Sequence, residues 1–275
     1  MGVVLGIAAG ILLGVSDFMA NRASRTVSSA SVSRTNLIVS GLIAPLLLFI
    51  KPVEWTLRDI VLATISGITL SGGLMMLYRG YTVARMGIVA PTASVLLAAV
   101  PVLYDLIKGN TPSKLAASGM ILGLLALVLT TYQRGGMGSV KIGVILGVGA
   151  GLLFGVAFTL TSQTSDAAGL SPVLIQRFAG LLFLIALQRF DKAPLLGLRV
   201  PARRWAIGSG LTGGVAVGLL KLGYIKGAAG PVSVAASQFA AVAVLLASDE
   251  AAYITGSEMS IDGGLLAGSA ATPEG

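Results

Sequence analysis

The sequence predicts an all-α polytopic membrane protein of about nine transmembrane helices, built as two inverted five-helix repeats of which the second lacks its last helix. Three observations predict it. Hydrophobic residues make up 55% of the chain and charged residues 11%, where a soluble domain carries about 25% charged. The mean hydropathy of +0.91 agrees. Such a chain cannot cover its apolar surface with polar side chains, so lipid is its solvent. Apolar runs of spanning length then recur along the chain, and the first half of the pattern returns in the second.

A spanning helix needs about 20 apolar residues. Runs of that kind fall at 2–20, 35–50, 60–78, 86–107, 115–131, 142–162, 172–188, 205–222 and 229–247. The first opens MGVVLG without a basic stretch and is long enough to span, so it reads as a retained helix rather than a signal peptide. The second is short, and the joint at 79–85 between the third and fourth is brief. Elsewhere the joints are polar: KPVEWTLRD at 51–59, KGNTPSK at 108–114, YQRGGMGSVK at 132–141 and the long QRFDKAPLLGLRVPARR at 188–204.

Internal similarity groups these runs. GVVLGIAAGILLGV at 2–15 recurs as GVILGVGAGLLFGV at 143–156, an offset of 141. RGYTVARMGIVAPTAS from Arg79 matches LGYIKGAAGPVSVAAS from Leu222, an offset of 143. Between them Arg34 and Gly41 fall near Arg177 and Gly180. The first unit, 1–131, holds five helices. A linker follows at 132–141, the second unit at 142–247 holds four, and 248–275 is a tail outside the membrane. An odd number of helices per unit starts the second copy on the opposite face. The copies are then antiparallel, as in secondary transporters whose site lies between inverted repeats near the midplane.

Gly2, Gly6, Gly10 and Gly14 lie four apart, and so do Gly143, Gly147, Gly151 and Gly155. Each set forms a side-chain-free stripe where another helix can approach closely. Pro91 and Pro101 in the fourth run each free a carbonyl and are expected to bend that helix.

Ionisable groups at membrane depth are costly and mark candidate pathways. Asp17 near the end of the first run, Asp105 after Tyr104 in the fourth, and Arg34 and Arg177 at the openings of the second and seventh are the charged candidates. Tyr81 and Tyr224 recur in both halves and add hydroxyls. The competing reading sends the arginines to headgroups, as snorkelling side chains, and makes Asp17 an interfacial residue and the tyrosines interfacial anchors. Lys221 and Lys226 read as loop charges between the last two runs.

The chain has no Cys and no His. Disulfides, thiolate or imidazole metal sites and a His-based triad are therefore excluded. The net charge of +8 is spread over joints rather than gathered into a basic face with aromatics, so nucleic acid is not an expected partner. The expected partners are the bilayer and a small-molecule solute, with Asp17 as a candidate proton- or cation-coupling carboxylate. Lys and Arg are denser in the joints after the first, third, fifth and seventh runs, which by the positive-inside rule puts the amino terminus outside.

The five-plus-five repeat, the Arg opening the second helix of each unit (Arg34, Arg177), and GIVAPTASVLLAAVP at 87–101 with GPVSVAASQFAAVAV at 230–244 resemble the EamA branch of the drug/metabolite transporter superfamily over about residues 1–247. The resemblance implies ten helices, export of small metabolites or drugs across a bacterial cytoplasmic membrane, no metal or other cofactor, coupling to a proton or an exchanged solute, and an orientation opposite to that of the charge bias. Two positions depart from the family: Asn110 follows Gly109 where a Glu is usual, and Val244 stands opposite Pro101. The tail departs altogether. LLASDEAAYITGSEMSIDGGLLAG at 245–268 resembles the carboxyl-terminal end of short-chain dehydrogenases and is too polar to be the tenth helix expected near 257–274. The chain has no Tyr-x-x-x-Lys pair there, since Ser257 follows Tyr253, and no dinucleotide loop. The expected function is that of a secondary transporter and not of an enzyme. The alternatives are a non-transporting membrane protein left by a fusion or frameshift and, remotely, an oxidoreductase.

Overall fold

The computed structural model describes residues 1–45, 54, 56–109, 118, 121, 140–190, 194–196, 198–200 and 202–247. Among them the secondary structure is all helical, in eight helices: α1 (Gly2–Ser24), α2 (Ser29–Ile43), α3 (Leu57–Val83), α4 (Met86–Ile107), α5 (Val140–Ser162), α6 (Ser171–Gln188), α7 (Ala202–Ile225) and α8 (Ala229–Ala247). Six of them, α1 and α3 through α7, are long and apolar enough to cross a membrane, which is compatible with an integral membrane protein. The 15-residue α2 is shorter, as is the apolar stretch Ala229–Ala243 of α8. The expected helix at 115–131 lies outside the described residues except for Ser118 and Ile121, and so does the whole tail 248–275.

Helix starts follow capping chemistry rather than hydropathy. Helix α2 begins ahead of its apolar run because the Ser28 side chain accepts the Ser31 backbone N–H at 3.2 Å, which lets the polar turn SASVSR join the helix. Thr56 does the same for α3, accepting the Asp59 N–H at 3.1 Å, while the Asp59 carboxylate accepts the Thr56 hydroxyl at 2.6 Å. Helix α4 runs through both Pro91 and Pro101.

The helices form two groups by contact. In one, α1 packs along α7 and α8, and α2 along α7; in the other, α5 packs along α3 and α4, and α6 along α3. Contact between the groups runs mainly through α4 with α8 and α2 with α6. Each group thus takes two helices from each half of the chain.

The glycine stripes make the seams within each group. A Cβ on Gly6 would lie 2.7 Å from the Val232 carbonyl oxygen, and Gly2, Gly10 and Gly14 meet Gly227, Ala236 and Ala240 in the same order, so α1 and α8 run parallel. Gly143, Gly147, Gly151 and Gly155 meet Ala84, Val89, Ala93 and Leu96, so α5 and α4 also run parallel. Between the groups, Val102 packs against both Ala98 and Val234 and also reaches Gly230, so α4 and α8 run antiparallel. Chained together, these contacts put α1 antiparallel to α5. One face of the bundle therefore carries Gly2, the ends of α4, α5 and α7, and the starts of α3, α6 and α8.

Candidate functional site

A cavity of about 50 Å³ lies between the two groups and is lined by residues of all eight described helices. Its walls are mostly apolar: Leu70, Leu74 and Leu77 from α3, Ala90, Ala93 and Leu97 from α4, Phe154 and Phe158 from α5, and Val217 and Ala240 from α7 and α8. Its polar lining is Ser16 and Asp17 of α1, Asn36 of α2, Tyr78 of α3, Ser94 of α4 and Arg177 of α6. A single water needs roughly 10–15 Å³ on this measure, so the space holds a few waters.

The two charges are left with capacity to bind. The Arg177 side chain is 3% exposed and donates from Nη2 to the Gly213 carbonyl at 3.2 Å, while its Nε–H has no partner. Asp17 lines the same cavity, and no hydrogen bond or ion pair engages its carboxylate among the described residues. The neutral groups are held instead. Asn36 Nδ2 donates to Ser209 Oγ at 2.8 Å and to the Tyr78 hydroxyl at 3.4 Å, and Ser16 Oγ donates to the Ser209 carbonyl at 2.9 Å. This node ties α1, α2 and α7.

A second node ties α5, α6 and α3. Gln176 Nε2 donates to Ser66 Oγ at 2.6 Å and to Thr161 Oγ1 at 2.9 Å, and Ser66 Oγ donates to the Ala157 carbonyl at 2.7 Å. Ser66 and Ser209 stand 143 apart in sequence, the spacing of Arg34 and Arg177. Buried polar groups at membrane depth persist when they are bonded, and here each node satisfies its hydroxyls within one helix group.

The six residues singled out by sequence separate into those that face the cavity and those that do not. Asp17 and Arg177 face it. Tyr81 is buried beside it, stacked on Tyr78 at 6.2 Å, with an unpaired hydroxyl. Tyr224 pairs with Ser233 at 2.9 Å. Arg34 is 1% exposed and bonds from Nε to the Ala30 carbonyl at 3.3 Å, away from the cavity. The headgroup reading fails for both arginines, because both are buried against neighbouring helices rather than reaching outward. Asp105 is not a cavity residue either: its Oδ2 accepts the Gly230 N–H at 2.7 Å. Lys221 is no loop charge. It is buried within α7 and donates from Nζ to the Thr164 carbonyl at 3.0 Å, whereas Lys226 is exposed.

Sequence reasoning passed over Asn36, Tyr78, Ser94 and the Ser66–Gln176 node. A signal existed for Asn36 and Gln176, which are amides inside apolar runs. Ser and Thr, by contrast, bond readily to carbonyls of their own helix in membranes, as Thr92 does to Ile88 at 2.6 Å, and so carry little information.

The chain matches no family model and no curated protein. Its fold is similar to a crystal structure of another protein, with a TM-score of 0.67 at 14% identity over 94% of this chain and 91% of the other. Likeness at that identity shows a shared fold and nothing of activity.

Proposed function

We propose that the chain is a secondary transporter of the drug/metabolite transporter type, moving a small solute by alternating access through the cavity between its two helix groups. The observation that carries this reading is the cavity: it sits near mid-length of the helices, every described helix contributes to it, and it exposes one carboxylate and one guanidinium that are not paired with each other. Charges kept in that state at membrane depth mark substrate or ion pathways. The packing supports two inverted repeats, since each seam in one half has a counterpart in the other (α1 on α8 and α5 on α4, α1 on α7 and α5 on α3). The cavity then lies on the pseudo-two-fold axis, where inverted-repeat transporters bind. Direction is proposed as export from a bacterial cytoplasm, with a proton or an exchanged solute for coupling.

The test is efflux from cells producing the full chain, and uptake into vesicles holding the purified protein, over a broad metabolite panel. At least one solute should accumulate outside cells with the parent chain and not with Asp17→Asn or Arg177→Ala. Equality of the parent with empty vector across the panel would refute transport and favour the non-transporting membrane protein.

A further inference from the structure

The two helix groups are tied together at one face of the membrane by two buried charged side chains. Asp105, near the end of α4, accepts the Gly230 N–H in the first turn of α8 at 2.7 Å. A carboxylate there meets the positive end of the helix. Lys221, near the end of α7, donates to the Thr164 carbonyl just past α5 at 3.0 Å. An ammonium there meets the negative end. Helices α4 and α5 belong to one group and α7 and α8 to the other, so both bonds cross the interface. One group supplies the carboxylate and the other the ammonium.

Both bonds lie on the same face, beyond the cavity. Along α4, Ala90, Ser94 and Leu97 line the cavity, then Val102 packs on Val234, and Asp105 closes the end. In the repeat register neither charge has a charged counterpart. The residues 143 away are Tyr78 for Lys221 and Ser248 for Asp105. The pairing is therefore one-sided in a molecule whose seams are two-sided.

Charged groups suit a seal that must open to water. Closed, each makes a charge-assisted bond, stronger than a neutral one. Opened, each regains hydration, which apolar packing would not. We propose that Asp105 and Lys221 form a latch that holds this face of the cavity shut, and that opening it for solute requires both bonds to break. The proposal rests on the alternating-access reading, but its test reads opening rather than transport, so the two fail separately.

The parent chain has no cysteine, so a single Ser94→Cys puts one thiol in the cavity. Labelling of this protein in sealed vesicles by a membrane-impermeant maleimide, added to either side, reads access. Lys108→Cys in a separate preparation marks the face that carries the end of α4. Asp105→Asn and Lys221→Met should each raise labelling from that face at least roughly tenfold, the effect of losing a charge-assisted bond such as Asp105–Gly230 or Lys221–Thr164, while labelling from the other face stays level or falls. Asp105→Glu and Lys221→Arg should label like the parent. Unchanged labelling in both neutral variants, or an equal rise from both faces, overturns the latch. If Asp105→Asn fails to elute as a folded species, Lys221→Met tests the same closure from the other group. Failure of both to fold also overturns it, because groups that the fold cannot lose are core rather than gate.

Discussion

Gly151→Ala tests whether the glycine stripes are required by close approach or are merely tolerated. A Cβ at this position would lie 2.5 Å from the Ala93 carbonyl oxygen, 2.9 Å from Ala93 Cα and 2.9 Å from Leu96 Cβ. Non-bonded carbons are at their optimum about 3.5–4.0 Å apart. Two of the three obstacles are backbone, which cannot turn aside as a side-chain tip can, so α4 and α5 must separate. Overpacking of this kind costs about 1–3 kcal/mol. Against it stands the higher helix propensity of Ala, at most about 1 kcal/mol. The net expectation is a loss of about 1–2 kcal/mol. The matched control is Gly41→Ala, where the new Cβ meets only Arg177 Cβ at 3.9 Å, an ordinary contact, and where the variant should be neutral or slightly stabilised. The assay is thermal unfolding in detergent, followed by loss of the monodisperse species. At about 2–4 °C per kcal/mol for a chain of this size, Gly151→Ala should melt several degrees below the parent and Gly41→Ala should not. Equal stability of Gly151→Ala and the parent would refute the close approach of α4 and α5, and with it the packing basis of the two-group architecture.

Three further outcomes follow. On the transporter reading Asp17→Asn and Arg177→Ala should each lower transport at least tenfold, and Asp17→Asn should leave melting within about 1 kcal/mol of the parent, because no hydrogen bond or ion pair engages its carboxylate among the described residues; efflux and melting measured on the same preparations check this. Ser66→Ala should destabilise by about 1–3 kcal/mol by stripping Gln176 and the Ala157 carbonyl of partners, read as a lower melting temperature that Ser66→Thr partly restores. Transport by the parent should be indifferent to maleimide, since the chain has no thiol, and should become sensitive on adding Ser94→Cys alone.

Much of the fold is legible in the sequence because its two determinants are local. Spanning length and polar joints locate α4 at 86–107 and α8 at 229–247 to the residue, and the four-residue spacing of Gly2 to Gly14 and Gly143 to Gly155 announces two seams. The start of α2 is less legible because hydropathy does not register a Ser28 cap. The site is only half legible. Asp17 stands out as a charge in an apolar run, but nothing local says that Asp105, equally conspicuous, is spent on the start of α8. Rotation about a helix axis decides between the two, and a stripe with little amphipathic contrast does not encode it. Lys221 misleads for a related reason. It sits near a turn in sequence, yet α7 extends to Ile225 and carries it inside.

The distribution of polar bonds separates what holds each group together from what holds the groups to one another. Inside a group, backbone meets backbone at the glycines and a three-helix hydroxyl–amide node pins the crossing: Ser16, Asn36 and Ser209 in one, Ser66, Thr161 and Gln176 in the other. Such close-packed, fully apposed surfaces resist deformation. Between groups the cavity interrupts the contact, and what crosses it includes the single Arg177 bond to Gly213, the long Asn36 bond to Tyr78 and the two charged bonds at the Asp105 face. Each of these is a group that water can satisfy when the contact is broken. A motion that slid α1 along α8 would press the carbonyls of Val232 and Ala236 into the stripe of α1, whereas one that parts α4 and α5 from α8 and α7 at the Asp105 end trades the Asp105 and Lys221 bonds for hydration. On the proposed alternating-access reading the second is the softer coordinate, since it would open the cavity to one face while leaving both glycine seams intact.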